Sequence, residues 1–427
     1  MPAHHKRIAT ALALVTVLVS PSRALAQDSE VVIEWNRILQ ATVTGTPTPT
    51  VFFTRPYALT SVAVFDALNS IDRVYRPYVT DVEAAPNASR EAAAAQAAHD
   101  VLVALYPTQQ TALDAALATT LARLPAAAAR EGSRVGAAAA RAAIEARASD
   151  GWKRQPSEYF LPSLPGYYQI TPPQNAAVTF THYPDVQPFV IGSRYQFLAG
   201  PPPALTSAIY AADFNEVKAI GGTASSVRTE EQTSIARRWA NVGTSTTALG
   251  VWNNVARDLA RRSSLSGVET ARVYALLNIT VHDAIMVSVS GKFLYGLWRP
   301  VTAIREAARD GNPATEADPT WLPLLATPSY PSYPGNQTCI AASGARTLER
   351  VFGRNDIPFS VTWTGTGGAA DITRPFNGLR ELADQEARSR VYGGIHFEFD
   401  QLASFGVCTP LADYAVDNYL RARFPSR

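Results

Sequence analysis

Val62-Ala63-Val64-Phe65-Asp66-Ala67-Leu68-Asn69-Ser70-Ile71 decides the fold class. Its large apolar side chains fall three or four residues apart, so a helix gathers them on one stripe, whereas a strand would scatter them over both faces. The same recurrence runs from Val31 to Ile71 and predicts an amphipathic helix. Working outward, Ser89 is placed as an N-cap for an Ala-rich helix that ends at Pro107, and further helices are expected at 111–124 and 126–149, where alanines permit close approach. Between Trp152 and Pro203 the prolines at 156, 162, 165, 172, 173, 184, 188 and 201–203 forbid long helices. This segment reads as a wrapping loop, because Trp152, Tyr159, Phe160, Tyr167, Tyr168 and Phe189 call for burial. Helical periodicity resumes at 207–220, 229–241, 250–263, 266–289, 297–309, 338–352, 374–392 and 409–422, and the Thr- and Gly-rich stretch 362–371 reads as a second loop. The expectation is an all-α fold, a compact helical bundle with long Pro-rich wrapping loops.

Composition is consistent with that reading. The 427 residues are 47% apolar and 17% charged, which excludes wholesale disorder and a disulfide-rich miniprotein. Residues 1–26 read as a signal peptide, with basic His4-His5-Lys6-Arg7, an apolar run from Ile8 to Val19 and Ala24-Leu25-Ala26 before Gln27. A short membrane anchor is the alternative, but the run is below the roughly 20 residues a span needs. Residues 27–427 are then expected to form one exported domain without a membrane span. Losing Lys6, Arg7 and Arg23 takes the formal charge from +2 to about −1, so bulk charge favours neither nucleic acid nor an anionic membrane. Export also places Cys339 and Cys408 where two thiols commonly pair, two unrelated buried thiols being the alternative.

The chemistry concentrates in 283–400. In Lys292-Phe293-Leu294-Tyr295-Gly296-Leu297-Trp298-Arg299-Pro300 two cations lie seven apart, which a continuous helix would return to one face. That pair suits a tetrahedral oxyanion or a solvated surface, and the bulky residues between argue for burial. Arg388-Ser389-Arg390 precedes Gly393-Gly394-Ile395-His396, where the glycines allow a sharp turn that carries the imidazole back toward Arg390. In Pro328-Ser329-Tyr330-Pro331-Ser332-Tyr333-Pro334-Gly335-Asn336-Gln337-Thr338 the prolines enforce extended chain before a helix. Gly335 to Gln337 therefore sit at a helix N-terminus, where free N–H groups attract anions.

Together these stretches resemble the three-part signature shared by vanadium-dependent haloperoxidases and type 2 phosphatidic-acid phosphatases, in the order and spacing of the bacterial exported branch. Glu34-Trp35-Asn36-Arg37, Phe65-Asp66-Ala67-Leu68-Asn69, Pro201-Pro202-Pro203-Ala204-Leu205 and Arg228-Thr229-Glu230-Glu231-Gln232 extend the resemblance over nearly the whole mature chain. It implies a helical bundle holding vanadate, with phosphate able to take the same place. Lys292, Arg299 and Arg390 would neutralise its oxygens, and Gly335, Asn336 and Gln337 would line the helix end. His396 would be the axial vanadium ligand, or the nucleophile of a phosphatase. Substrates would be hydrogen peroxide and halide, or a phosphate ester. One departure stands out: the family's Ser-Gly-His is Gly335-Asn336-Gln337 here, and Gln cannot deliver a proton near neutral pH. Losing a general acid costs on the order of 100- to 10,000-fold in rate, so impaired turnover or bare oxyanion binding is a second expectation.

The remaining candidates are blander. His99-Asp100 and His282-Asp283 read as core or supporting pairs, since metal-dependent phosphohydrolases need further ligands. Asp283 is expected either to orient a cation of the site or to cap chain elsewhere. No phosphate-cradling GxxxxGK[ST] loop, CxxC pair or GxSxG elbow occurs.

Overall fold

The structure, a computed structural model, describes residues 21–46, 50–160, 162–242 and 244–424. The leader read at 1–26 lies, as far as residue 20, outside the described residues. The described residues begin with α1 (Pro21–Thr44), α2 (Thr54–Asp72), α3 (Arg90–Leu105), α4 (Gln110–Leu121) and α5 (Ala126–Ala146). After the long loop come α6 (Ala208–Ile220), α7 (Glu230–Trp239), α8 (Ala248–Arg262), α9 (Gly267–Tyr295) and α10 (Pro300–Arg305). The last elements are α11 (Asn336–Phe352), β1 (Phe359–Trp363), β2 (Ile372–Phe376), α12 (Leu379–Tyr392) and α13 (Glu398–Asn418). The all-α expectation holds, with one short antiparallel hairpin pairing Phe359 with Phe376.

The centre of the bundle is α9, packed by α1, α2, α8, α11 and α13. Among the described residues it is the one helix long and apolar enough to cross a membrane, yet its apolar window is wholly buried by these neighbours. Its N-cap Ser266 forms a capping box with Glu269, and Gly296, at φ 59°, ends it in the left-handed conformation that glycine adopts without strain. Ser89 caps α3 as expected, its Oγ accepting from Ala92 N at 3.1 Å. The close approach read from the Ala-rich stretches is sharpest between α3 and α5: a Cβ on Gly132 would lie 2.2 Å from Ser89 O, and one on Gly136 2.4 Å from Ala93 O. Only a bare Cα fits there.

Several elements differ from the sequence reading. The stripe from Val31 to Ile71 is two helices, and α2 is buried around its whole circumference from Thr54 to Ser70 because α3, α5 and α9 all pack against it. Residues 372–376 form a strand, and the Thr/Gly-rich loop is largely its hairpin, because alternating Phe359, Val361 and Trp363 bury one face. Helix α13 begins at Glu398, eleven residues before the expected start, and carries Pro410 within it. The Pro-rich segment does wrap the bundle, with Tyr168 and Phe189 buried, but Phe160 is 81% exposed and Tyr167 is also exposed.

Two buried carboxylates pin irregular chain onto the helices. Asp66 on α2 accepts from the N–H groups of Tyr78, Val79 and Thr80 at 2.7, 2.7 and 3.0 Å. Asp283 on α9 accepts from Phe189, Val190 and Ile191 at 2.8, 2.7 and 2.9 Å. Asp283 thus caps the wrapping loop and orients no cation of the site. Cys339 on α11 and Cys408 on α13 form a disulfide with Cα atoms 5.5 Å apart.

Candidate functional site

Three segments meet where the N-terminus of α11, the C-terminus of α12 and the start of α13 converge. Beside them opens a cavity of about 260 Å³ lined by Asn336, Gln337, Arg390 and His396 on one side and by Trp239, Ile285, Leu325, Ile340 and Ile395 on the others. Tyr330 completes the wall.

Arg390 lies in the last turn of α12, buried, and only part of its guanidinium is engaged by protein. Its Nη1 donates to Gln337 Oε1 and, at 3.4 Å, to Trp239 O, while Nε and Nη2 have no partner. Burial pulls its pKa down to about 10, opposed by the Glu386 carboxylate one turn earlier, so it stays cationic at neutral pH. Arg388 of the same basic cluster points elsewhere, into Glu216 and Glu398. Gly393 and Gly394 then reverse the chain, Gly394 with φ 74°, and deliver His396 to the cavity.

The imidazole of His396 is held at both nitrogens. Asp400, one turn into α13, lies 2.7 Å from Nδ1, and Arg299 Nη1 lies 3.0 Å from Nε2. An Arg can only donate, so Nε2 carries the lone pair and Nδ1 the proton. Burial, followed by the charges of Arg299, Lys292 and Arg390, pushes the His396 pKa well below its ordinary value and keeps the ring neutral. Asp400 Oδ2 also accepts from Ser332 Oγ at 2.6 Å, and burial raises its pKa to about 6 against that bond and the nearby cations. Asp400 was not read from the sequence. The signal was present as the i,i+4 spacing from His396.

Lys292 and Arg299 are in place but not as the sequence suggested. Gly296 ends α9 between them, so no continuous helix carries both, and they converge instead through the turn. Lys292 does not line the cavity: all its donors go to backbone carbonyls, of Pro331 at 3.2 Å, Ser332 at 2.5 Å and Pro334. It clamps the Tyr-Pro turn that leads into α11. Burial, then the charge of Arg299, lowers its pKa well below the usual value, with Asp400 opposing. Arg299, also fully buried, donates to Tyr330 O and Ile395 O, each at 2.8 Å, and its Nη2 has no partner within hydrogen-bond distance.

At the head of α11 the N-cap is Gly335, and the first helical bond, from Cys339 N to Gly335 O, leaves the N–H groups of residues 336–338 without helical acceptors. Asn336 Oδ1 accepts from Ser288 Oγ at 2.7 Å, which turns its unpartnered Nδ2 toward the cavity. Gln337 spans Arg390 and Trp239, donating to Trp239 O at 2.9 Å. A Cβ on Gly335 would lie 2.8 Å from Gln401 Oε1, so Gln401 fills the space a serine side chain would need. Behind Gln337 stands Glu386, fully buried, accepting from Trp252 Nε1 at 2.8 Å; burial raises its pKa to about 8.

Among the described residues no cluster of three His, Cys, Asp or Glu side chains is arranged for a metal cation. The donor set suits an oxyanion: Arg390 and Asn336 line the cavity beside His396 with unpartnered N–H groups, and Arg299, unpartnered at Nη2, stands behind the imidazole with Nη1 on its Nε2. Vanadate or phosphate fits that set.

Comparison with known proteins agrees. Residues 272–423 match the family of VCPO second helical-bundle domains. Vanadium chloroperoxidase of Curvularia inaequalis is 25% identical over 286 residues, 52% of this chain. The match covers 46% of that protein, about half its length. The crystal structure of the first bacterial vanadium-dependent iodoperoxidase superposes with a TM-score of 0.79 at 21% identity, over 94% of this chain and 98% of that one. A holo-type bacterial vanadium-dependent chloroperoxidase gives 0.70 at 16% identity, over 87% and 93%.

Proposed function

We propose that this chain is a vanadate-dependent haloperoxidase-like enzyme that oxidises halide with hydrogen peroxide. The observation that carries the reading is the set of unpartnered buried donors on Arg390 and Asn336 that line one cavity with His396. When bound, vanadate supplies a Lewis-acidic centre that activates peroxide. Arg390, Arg299, Asn336 and the free N–H groups of α11 would hold its oxygens, and His396 Nε2 would be the ligand to vanadium. Asp400 keeps the imidazole in the tautomer that presents Nε2, and Lys292 acts indirectly by fixing the turn. Burial of Arg299, Arg390 and His396 strengthens these charge interactions.

A second reading is favoured by the His396–Asp400 pair, which also suits nucleophilic attack of Nε2 on phosphorus. Gln337 lowers turnover in either case, and a binding protein without catalysis is the limit. Bromination with peroxide and added vanadate, hydrolysis of phosphate esters, and phosphate calorimetry on the purified protein separate the three. Oxyanion binding without either turnover refutes both enzymatic readings. We further propose that the protein is one exported domain after removal of residues 1–26, an expectation the Cys339–Cys408 disulfide supports. Sequencing the N-terminus of the secreted product tests it.

A further inference from the structure

Replacing the family's acid–base histidine by Gln337 leaves a question about protons. Three titratable side chains line the cavity among the described residues: Arg390, His396 and Tyr330. Arg390 keeps its charge at neutral pH to bind the anion, and His396 serves as ligand or nucleophile through Nε2 while Asp400 holds Nδ1. Tyr330 is positioned by the site itself. Its carbonyl accepts from Arg299 Nε at 2.8 Å, and its ring lies 5.0 Å from the Arg299 guanidinium carbon and 5.4 Å from Lys292 Nζ. Phe180 closes against its ring with centroids 5.6 Å apart. The side chain thus lines the same cavity as Arg390 and His396, with its ring against the Arg299 guanidinium.

We propose that Tyr330 is a catalytic residue of this site, its hydroxyl giving and recovering the proton that Gln337 cannot carry. The proposal rests on the reading of the cavity as an oxyanion-dependent active site. In ester hydrolysis His396 Nε2 bonds to phosphorus, the P–O ester bond breaks, and the departing alkoxide takes the Tyr330 proton and leaves as alcohol. The phenolate then takes a proton from the water whose oxygen displaces the imidazole and gives inorganic phosphate. In halide oxidation, halide, hydrogen peroxide and one proton give hypohalous acid and water, and the proton enters through Tyr330, which is recharged from solvent. A phenol is a far stronger acid than an alcohol, so transfer to an alkoxide is downhill.

The test compares wild type, Tyr330→Phe, and Tyr330→Phe combined with Gln337→His. Vanadate-free protein is assayed on an alkyl phosphate and on 4-nitrophenyl phosphate, whose leaving group needs no proton, and vanadate-loaded protein on bromination. The Phe variant is expected to lose at least about 100-fold on the alkyl ester and in bromination. It should keep 4-nitrophenyl phosphate hydrolysis and phosphate affinity by calorimetry within about threefold, and the added histidine should restore part of the loss. Equal loss on both esters, or no loss, overturns the proposal by showing a structural or idle tyrosine. If only bromination is found in wild type, its persistence in the Phe variant overturns the proposal, and its loss with rescue by histidine supports it. A wild-type protein that binds phosphate but turns nothing over overturns Tyr330 and both enzymatic readings while leaving the site. One that binds neither anion refutes the site as well.

Discussion

Replacing Glu386 by Gln isolates the cost of sealing a carboxylate behind the oxyanion cavity. Trp252 faces it from α8, Gln337 from α11 and Arg390 from its own helix, and burial outweighs their help, raising its pKa from 4.5 to about 8. The folded state therefore prefers the protonated form. The stability this contributes is fully present below the ordinary value of 4.5 and is lost as pH climbs through about 8, because the open chain ionises first. At about 1.4 kcal/mol per tenfold, the gap sets a ceiling of roughly 5 kcal/mol, and with local relaxation about 2 to 4 kcal/mol is expected to be lost by pH 9. Gln keeps the volume and an acceptor for Trp252 Nε1 but does not titrate. Denaturant unfolding at pH 5 and pH 9 should show wild type losing about 2 to 4 kcal/mol more than Glu386→Gln across that interval. The carboxylates raised to about 6, Asp28, Asp66, Asp283 and Asp400, are common to both proteins and cancel in the difference. Parallel pH dependence in the two proteins would refute the argument.

Three further outcomes follow from the same geometry. Arg390→Met removes the guanidinium with two unpartnered nitrogens and should weaken phosphate or vanadate binding by about 10- to 100-fold, read by calorimetry, while the melting temperature changes little. Asp283→Asn breaks up the three-fold acceptor for Phe189, Val190 and Ile191 and should cost about 2 to 3 kcal/mol. Limited proteolysis should then cut first within 152–203, and a pattern unchanged from wild type would show that the loop is held elsewhere. Changing Cys339 and Cys408 together to Ala opens a link across 69 residues of sequence separation and should lower stability by about 3 to 4 kcal/mol, with reductant producing the same drop in wild type and none in the variant.

Much of the site was legible because its residues sit in short local patterns. Arg390 and His396 could be paired from the Gly393-Gly394 turn, and Asn336 and Gln337 could be placed at a helix start from the prolines before them. Asp400 was missed although it lies four residues after His396, since a helix was not expected to begin until 409. Apolar periodicity there is weak, because α13 buries the polar Asp400, Gln401 and Ser404 while leaving Leu402 exposed. The role of Lys292 was not legible either. A cation in a motif looks the same whether it meets an anion or three backbone carbonyls, and only the path of 331–334 decides between them. Glu386 and Tyr330 carry no local signal, as their importance comes from what other helices bring beside them.

The sequence by itself determined that this chain is helical, that its two cysteines were candidates to pair, and that 283–400 holds the candidate site residues. Periodicity, caps and prolines are local and act wherever the segment sits. Only the tertiary structure decided which cations face the cavity and which hold up its walls, and that Asp283 serves the wrapping loop. Those assignments depend on which donors remain unpaired once distant segments have packed, and hydrogen-bond satisfaction across the chain is not written in any one stretch of it.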